Sequence, residues 1–228
     1  MPSAIATHDR YVESFVDLNE ARTPTTPAEE RAFRKVVDRV KRRHLTVAQT
    51  LGTAIAELKR QTRRNDPLYE IQEALDRFYI ARIGIRMLLG QYLAMPNSGP
   101  GIVGIIKEQT SPAEVAKEAA DKAMQLGRMF HGHTPKISIE GNTELRFRYI
   151  PSHLHHMLLE LLKNSVRATC LHHAKEKKLP PVRVIIAGGT EDVSIKVSDE
   201  GGGIPRSGLD RIWTYFYTTA DTPLSEEI

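Results

Sequence analysis

Cysteine, aromatic side chains and an excess of either charge are all scarce in this chain of 228 residues. Its single cysteine, Cys170, excludes an internal disulfide and a cysteine-based zinc cluster, and it indicates a reducing compartment. Aromatic residues make up 6% of the chain, and the formal net charge is only +4. No dense Lys and Arg run is interleaved with aromatics, so the composition gives no ground for a nucleic-acid partner.

Long apolar runs are also missing. A membrane-spanning helix needs roughly 20 consecutive apolar residues, and the most apolar stretch, residues 79–95, is interrupted by Arg82 and Arg86. The first residues contain neither a hydrophobic signal core nor an Arg- and Ser-rich amphipathic leader. We therefore expect no membrane insertion, and we expect any targeting signal to have been removed or to lie outside these residues.

Helical periodicity dominates the first 130 residues. Apolar residues recur at near-helical spacing in three segments, 27–61, 66–95 and 111–130. The last of these opens with Ser111 as a candidate N-cap and Pro112 at the first helical position. Residues 96–104 predict a loop by their Pro and Gly content. Long amphipathic helices joined by short loops predict a helical bundle, which we assign to residues 1–133 as a regulatory domain.

From about residue 134 the apolar period changes to alternation, which predicts β-strands. Four segments alternate: KISIEG (136–141), LRFRYI (145–150), VRVIIAGG (182–189) and DVSIKVSD (192–199). Gly188, Gly189 and Thr190 form a hairpin signal between the last two. An amphipathic helix over residues 152–173 separates the two pairs of segments. We therefore predict an α/β domain over residues 134–228.

The helix over residues 152–173 has an unusual polar face. Its apolar positions predict one buried stripe, made of Leu154, Met157, Leu158, Leu161 and Leu162. On the other side, His156, Glu160, Asn164 and Arg167 follow one another at helical spacing and share a face. A solvated face more often carries Lys and Glu, but an ordinary amphipathic helix stays an alternative for this segment taken alone.

A second informative stretch is VSDEGGGI, residues 197–204. The predicted strand ends at Asp199, and the three glycines that follow allow positive φ and a close approach of backbone N–H groups to a ligand. A carboxylate at the strand end could accept a hydrogen bond from an exocyclic amine such as that of adenine. The stretch is neither a Walker loop nor a dinucleotide fingerprint, and a flexible turn is the simpler alternative.

Taken together, the two stretches resemble the N-box and the G1 box of the Bergerat ATP-binding fold. The resemblance is more specific to the mitochondrial pyruvate dehydrogenase kinases and their branched-chain relative, and above all to plant-type sequences. It rests on four segments: RFYIARIGIRMLLGQ (77–91), ELLKNSVRAT (160–169), SDEGGGIPRSGLDRI (198–212) and YFYTTADTP (215–223). It implies an α + α/β fold, in which a helical bundle precedes a Bergerat-type α/β sandwich.

The resemblance implies roles for individual residues. Its ATP contacts fall on Glu160, Asn164, Arg167, Asp199, Gly201, Gly203, Thr218 and Thr219. Asn164 matches the ligand of Mg²⁺ between the phosphates, and K⁺ is a further candidate ion. Glu160 matches the general base toward the substrate serine, and His156 matches its hydrogen-bonding partner.

The resemblance also implies an allosteric pocket for pyruvate-like acids in the helical half. Its basic residues match His44, Arg82 and Arg86. Ala81 stands where many family members have Ser, and Lys41 stands where many have Arg. Ordinary interhelix ion pairs are the alternative interpretation of these basic side chains.

The function implied is that of a protein-serine kinase of the mitochondrial matrix, which inactivates the decarboxylase component of the pyruvate dehydrogenase complex. Its partners would be a lipoyl domain of the acyltransferase core and a second copy of the chain. The branched-chain 2-oxoacid dehydrogenase complex is the alternative target. A two-component histidine kinase is a rival class, but no acid follows His44 as its phosphoacceptor motif requires.

The chain departs from the family pattern at both ends. Its last glycine is Gly208, whereas the family carries a second glycine motif that holds the phosphates, and the family's first helices lack a counterpart before Met1. We therefore expect a truncated chain with weak nucleotide binding and little or no kinase activity. An inactive pseudokinase or a lipoyl-domain-binding module is the alternative outside the enzymes.

Overall fold

The computed structural model describes residues 1–62 and 69–215. The chain forms two compact units, one made of Met1–Pro96 with the segment that begins at Pro205, the other of Asn97–Ile204. The first is helical and the second is α/β, so the predicted α + α/β class is confirmed. The functional boundary predicted near residue 133 stays a prediction.

The helical unit is built mainly from four helices. They are α1 (Pro2–Glu20), α2 (Pro27–Arg43), α3 (Val47–Thr62) and α4 (Tyr69–Ala94). α1 packs against α2 and α3, and α2 packs against α4. Their buried apolar side chains are Val37, Val40, Val47, Ala54, Ile55 and Leu75. The predicted bundle is confirmed for the described residues, and burial of these side chains holds it together.

The periodic segment over residues 27–61 is two helices. Thr26 caps the start of α2, because its hydroxyl accepts the Glu29 N–H while the Glu29 carboxylate accepts the N–H of Thr26. α2 ends where His44 leaves helical geometry, at φ −88° and ψ 1°. The apolar period continues across this break, since α3 buries residues on the same core. Periodicity alone therefore missed the end of α2.

α4 is the longest helix, with 26 residues. Arg82 lies within it and is buried, whereas Ile80 and Leu88 are exposed, so only part of the apolar stretch over residues 79–95 packs in the core. No helix in the described ranges is both long enough and apolar enough to cross a membrane.

The chain returns to the helical unit after the α/β unit, through a short 3₁₀ helix over Arg206–Arg211 and then Tyr215. The Tyr215 hydroxyl donates to Asp76 Oδ1 at 2.7 Å, and its backbone N–H donates to Gln72 Oε1 at 2.8 Å. Its ring stacks on Tyr79 with centroids 5.0 Å apart. The hydrogen bond to the carboxylate raises the pKa of Tyr215 to about 12.

The α/β unit contains two helices and two three-stranded sheets. In chain order its elements are β1 (Ile102–Val103), β2 (Ile106–Thr110), α5 (Pro112–His131), β3 (Ile137–Gly141), β4 (Phe147–Tyr149), α6 (Pro151–His172), β5 (Val182–Gly188) and β6 (Val193–Ser198). One sheet has the order β1-β2-β4 and the other β3-β5-β6. The predicted hairpin is confirmed, because β5 and β6 pair antiparallel with Val184 opposite Val197 and Gly189 N–H bonded to Asp192 O.

The stretch before α5 differs from the prediction. β1 and β2 occupy residues that were expected to be loop or helix. β2 pairs antiparallel with β4, with Lys107 opposite Tyr149. The turn between β1 and β2 contains Gly104 at φ +60°, a conformation that suits glycine. Two such short strands depend on a partner about 40 residues away, so their own residues give little local signal.

The core of the α/β unit lies between the two helices and the β3-β5-β6 sheet. Its buried residues include Ala116, Ala119, Ala120 and Ala123 of α5, Leu158, Leu162, Val166 and Cys170 of α6, and Val182 and Val184 of β5. The alanine face brings α5 close to α6, and the predicted N-cap Ser111 is confirmed by its bond from Glu114 N–H at 3.2 Å. Burial raises the pKa of the Cys170 thiol, which makes it a packing residue.

Replacing Gly127 with Ala should loosen α5 from α6. The added Cβ would lie 2.7 Å from Val166 Cγ1 and 2.9 Å from Thr134 Oγ1, so the neighbours must shift at a cost of about 1–3 kcal/mol. The matched Gly84→Ala change in α4 meets nothing within 4 Å and should stabilise its helix by about 0.5–1 kcal/mol. Thermal unfolding followed by circular dichroism should show a lower midpoint for Gly127→Ala only. Equal midpoints for the two variants would contradict this packing.

Candidate functional site

α6 places the predicted polar residues along one accessible side of the helix. His156 and Asn164 are exposed, and Glu160 and Arg167 are partly exposed. The opposite side is buried through Leu154, Leu158, Leu159, Leu162, Val166 and Cys170. The predicted stripe is therefore wrong at two positions, since Met157 is 45% exposed and Leu161 is 50% exposed. Both flank Glu160, so apolar surface lies beside the candidate base.

The Glu160 carboxylate is held by Lys163, one turn further along α6. Its Oε1 lies 2.9 Å from Lys163 Nζ, and the lysine side chain is only 9% exposed. A nearly buried ammonium is costly unless it is paired, so this ion pair fixes the carboxylate. Within the described residues no hydrogen bond joins Glu160 to His156. Lys163 was not singled out in the sequence, although its spacing from Glu160 is that of a helical ion pair.

The glycine-rich loop after β6 rests directly on α6. A Cβ on Gly201 would lie 2.5 Å from Ala168 Cβ and 2.9 Å from Ala168 C. A Cβ on Gly202, which has φ +84°, would lie 2.6 Å from His172 Nδ1. Gly203 has φ +72° and open space around it. Packing against α6 thus requires glycine at position 201, whereas Gly203 faces open space.

Asp199 is oriented by the loop that follows it. Its Oδ1 accepts the N–H of Gly201 at 3.0 Å, and no other hydrogen bond to its carboxylate is seen in the described part of the chain. Oδ2 is therefore available to an amine donor. Because Gly201 packs on Ala168, one turn beyond Asn164, the loop brings the end of β6 to the same helix that carries the amide. Thr218 and Thr219 lie outside the described residues.

His173, at the end of α6, is a further residue that the sequence did not reveal. Its Nε2 lies 2.9 Å from the carbonyl oxygen of Glu200, and its Nδ1 lies 2.7 Å from Glu176 Oε1. Both ring nitrogens thus face acceptors, which favours the doubly protonated ring. The pKa of His173 is accordingly raised, chiefly by the Glu176 carboxylate. This imidazole ties the loop residue before Gly201 to α6.

The chemistry of the site fits a nucleotide with Mg²⁺. Among the described residues no group of three or more His, Cys, Asp or Glu side chains could hold a metal ion. Mg²⁺ in phosphate-transfer sites keeps several waters and takes one or two protein oxygens plus the phosphates of the substrate. A single exposed amide oxygen at Asn164 is compatible with that arrangement.

Two families of known proteins match parts of this chain. Residues 1–107 match the family described as mitochondrial branched-chain alpha-ketoacid dehydrogenase kinase. Residues 149–226 match the family described as histidine kinase-, DNA gyrase B-, and HSP90-like ATPase. The second match covers α6, β6 and the glycine-rich loop.

Curated relatives match along nearly the whole chain. A mitochondrial pyruvate dehydrogenase (acetyl-transferring) kinase of Arabidopsis thaliana is 42% identical over 230 residues, which cover 100% of this chain and 63% of the relative. The Schizosaccharomyces pombe enzyme of the same name is 40% identical, over 86% of this chain and 47% of its own length. Human isozyme 4 is 34% identical, over 95% and 56%. This chain belongs to the pyruvate dehydrogenase kinase and branched-chain kinase family. It spans about half to two thirds of the length of these relatives.

In this family member the helical unit contains a cavity of about 550 Å³. Its lining is mainly apolar and consists of Ala4, Thr7, His8, Tyr11, Leu51, Ala74, Leu75, Phe78, Ala81, Arg82 and Ile85. Of the three basic residues predicted to bind an effector, Arg82 lines the cavity. His44 and Arg86 are not part of its lining. Lys41 lines a different groove.

His44 and Arg82 form a buried polar pair beside the cavity. Arg82 Nη2 donates to the carbonyl oxygen of His44 at 2.8 Å, and Nη1 lies 3.4 Å from Tyr11 Oη. The Ser14 hydroxyl donates to Arg10 O at 2.7 Å, so at 3.0 Å it accepts from His44 Nε2–H. Nδ1 is buried without a hydrogen-bond partner, and burial lowers the pKa of His44, so both observations favour the neutral ring.

Replacing Gly201 with Ala should weaken nucleotide binding by lifting the loop off α6. We expect the dissociation constant of ADP, measured by calorimetry, to rise at least tenfold, which corresponds to about 1.4 kcal/mol. Gly203→Ala is the control, because it keeps the backbone N–H and its Cβ meets no atom within 4 Å. Its only cost should be the strain of positive φ, about 1–2 kcal/mol. That strain is the same in the free and the ADP-bound protein, so the dissociation constant should change little. Equal losses in the two variants would mean that φ, and not packing, controls the site.

Acid should destabilise the helical unit through His44. Burial first, and then Arg82, Arg43 and Arg86, lower the pKa of His44. The unfolded chain therefore takes up a proton as the pH falls below about 6.5, while the folded chain resists it. The stability from neutral His44 is present above that pH and is lost as the pH falls through the lowered folded pKa.

Urea unfolding at pH 7.5 and pH 5.5 measures this effect. The chain should lose more stability between the two values than His44→Gln, whose amide can still donate to Ser14. An identical pH dependence in both proteins would contradict a neutral, buried His44.

Proposed function

We propose that this chain carries the nucleotide-binding and phosphate-transferring part of a protein-serine kinase that acts on the decarboxylase component of the pyruvate dehydrogenase complex. The observation that most supports this proposal is the close packing of the glycine-rich loop against Ala168 of α6. It brings Asp199, the candidate adenine acceptor, to the helix that carries Asn164 and Glu160. The names of the relatives point to the same activity.

In the proposed reaction the serine oxygen of the target attacks the γ-phosphorus of ATP. The bond between that phosphorus and the bridging oxygen breaks, ADP leaves, and the serine proton passes to the carboxylate of Glu160. Lys163 orients this carboxylate through the 2.9 Å ion pair. Arg167, one turn beyond Asn164, adds positive charge to the same side of α6. His156 is the proposed hydrogen-bonding partner of Glu160 when substrate is present.

ATP is the proposed phosphate donor and Mg²⁺ the proposed metal. Mg²⁺ at Asn164 would neutralise phosphate charge, and K⁺ is a further candidate ion. Asp199 would accept the adenine amine, and the backbone of Gly201 and Gly203 would border the nucleotide. Thr218 and Thr219 complete the proposed contacts.

The remaining proposals concern the setting of the reaction. By family membership we place the protein in the mitochondrial matrix, with a lipoyl domain of the acyltransferase core and a second copy of the chain as partners. The cavity beside Arg82 and His44 would take a small pyruvate-like acid as effector. The branched-chain complex is a second candidate target, favoured by the match of residues 1–107 to the branched-chain kinase family.

Transfer of labelled phosphate from ATP to purified decarboxylase components tests the proposal. The chain and its Glu160→Gln variant are assayed on the pyruvate and branched-chain components, with the Arabidopsis relative as positive control. We expect acid-stable phosphoserine on the pyruvate enzyme at a small fraction of the control rate. Transfer should be at least a hundredfold lower with Glu160→Gln, because removal of a general base costs about 10²–10⁴-fold.

ADP affinity of the same two proteins is the companion measurement. Unchanged affinity in Glu160→Gln would assign its loss to the chemical step. Bound ADP with no transfer to either component would contradict the kinase and leave a nucleotide-binding module. Transfer to the branched-chain component alone would replace the proposed target.

A further inference from the structure

A groove on the helical unit is lined almost entirely by charged side chains. It encloses about 560 Å³, and its lining residues are Arg31, Arg34, Lys35, Asp38, Lys41, Arg42 and Leu93. Five of these seven are cations and one is a carboxylate. The groove is distinct from the cavity beside Arg82, and it lies in the compact unit that does not contain α6.

The charged residues of the groove lie on one face of α2. They recur at intervals of three or four residues along the helix, while Val37 and Val40 on another face are buried. Like charges one turn apart, such as Arg31 and Lys35, repel each other and weaken a helix. The concentration of cations on one face therefore costs stability that an anion in the groove would recover.

Few of these cations are neutralised within the protein. Asp38 Oδ2 lies 2.8 Å from Arg42 Nε, so this pair cancels. In the described portions of the chain no ion pair is formed by Arg31, Lys35 or Lys41. The groove thus offers at least three positive charges that no carboxylate of the described residues pairs with.

Arg34 gives the groove a rigid wall. Its Nη2 donates to the carbonyl oxygen of Leu93 at 2.7 Å, which joins α2 to the end of α4. Its guanidinium carbon stands 6.0 Å from the centroid of the Tyr92 ring, and Nη1 lies 3.7 Å from Glu30 Oε1. A wall that is already ordered lowers the entropy cost of binding.

We propose that this groove binds a small polyanion with two or three phosphate groups. Its volume falls in the range of small-molecule sites, about 300–1,000 Å³. Guanidinium forks bind phosphate oxygens in pairs, and ammonium groups supply further charge. A docked helix or protein surface would need apolar anchors, and Leu93 is the only apolar residue of the lining. The lining therefore favours a free phosphorylated compound over an acidic protein.

Calorimetric titration of the whole chain with inorganic tripolyphosphate, without Mg²⁺ and at constant ionic strength, tests this proposal. The double variant Arg31→Gln/Lys35→Gln removes two unpaired groove cations. Lys177→Gln/Lys178→Gln removes the same charge from an exposed segment of the other unit. We expect at least a tenfold weaker affinity for the groove variant, because charge-assisted hydrogen bonds are lost, and less than a twofold change for the control.

Three further measurements distinguish the groove from the nucleotide site, from general charge attraction and from binding of an acidic protein. Saturating ADP should leave tripolyphosphate binding within twofold, because a loss of binding under ADP would assign the ligand to the nucleotide site and overturn the proposal. Equal losses in both double variants would show general charge attraction only, and would also overturn it. Tighter binding of an oligoglutamate peptide than of tripolyphosphate, abolished by the groove variant, would replace the small anion with an acidic protein partner.

Discussion

The contact between Gly201 and Ala168 is the constraint on which the candidate nucleotide site depends. There is no room for a side chain between the loop and α6, since a single Cβ would approach to 2.5 Å. Asp199 is bonded to the N–H of the same glycine, so the position of its carboxylate follows from that contact. α6 is in turn held by its buried side against α5 and the sheet. One close approach therefore links the core of the α/β unit to the geometry of the site.

Each unit contains a buried cation, and the two cations have partners of different kinds. Lys163 is paired with the carboxylate of Glu160, so its charge is compensated and the carboxylate is oriented. Arg82 donates to a neutral carbonyl oxygen, so this hydrogen bond satisfies the guanidinium but does not neutralise its charge. That uncancelled charge is part of the reason why the pKa of His44 is lowered. The first arrangement orients a carboxylate, whereas the second leaves positive charge at the wall of the cavity.

Helical spacing predicted which side chains of α6 share the accessible face, and the alternating period predicted the β5–β6 hairpin. The buried stripe was wrong at Met157 and Leu161, because a period shows that a stripe exists but not where the neighbouring elements cover it. β1 and β2 were missed because both are short and because β2 pairs with β4, a non-local partner. Lys163 was missed although its partner Glu160 lies three residues away on the same helix. His173 was missed because its bond to the carbonyl oxygen of Glu200 is a tertiary contact of an ordinary residue type. The proposed roles of Glu160, Asn164 and Asp199 came from the family resemblance and stay predictions.

Unpartnered buried atoms concentrate between α2 and α4, in the helical unit. Nη1 of Arg34, Nδ1 of His44 and Nη1 of Arg86 are all buried without a hydrogen-bond partner. Each such atom costs about 1–3 kcal/mol, which is a large share of the stability of a typical domain. A bundle made only for stability would place apolar side chains at these positions at lower cost. Arg34 and Arg82 offset part of this cost by donating to carbonyl oxygens, Arg34 to Leu93 and Arg82 to His44, and these two bonds join α2 to α4 while the guanidinium groups border the groove and the cavity.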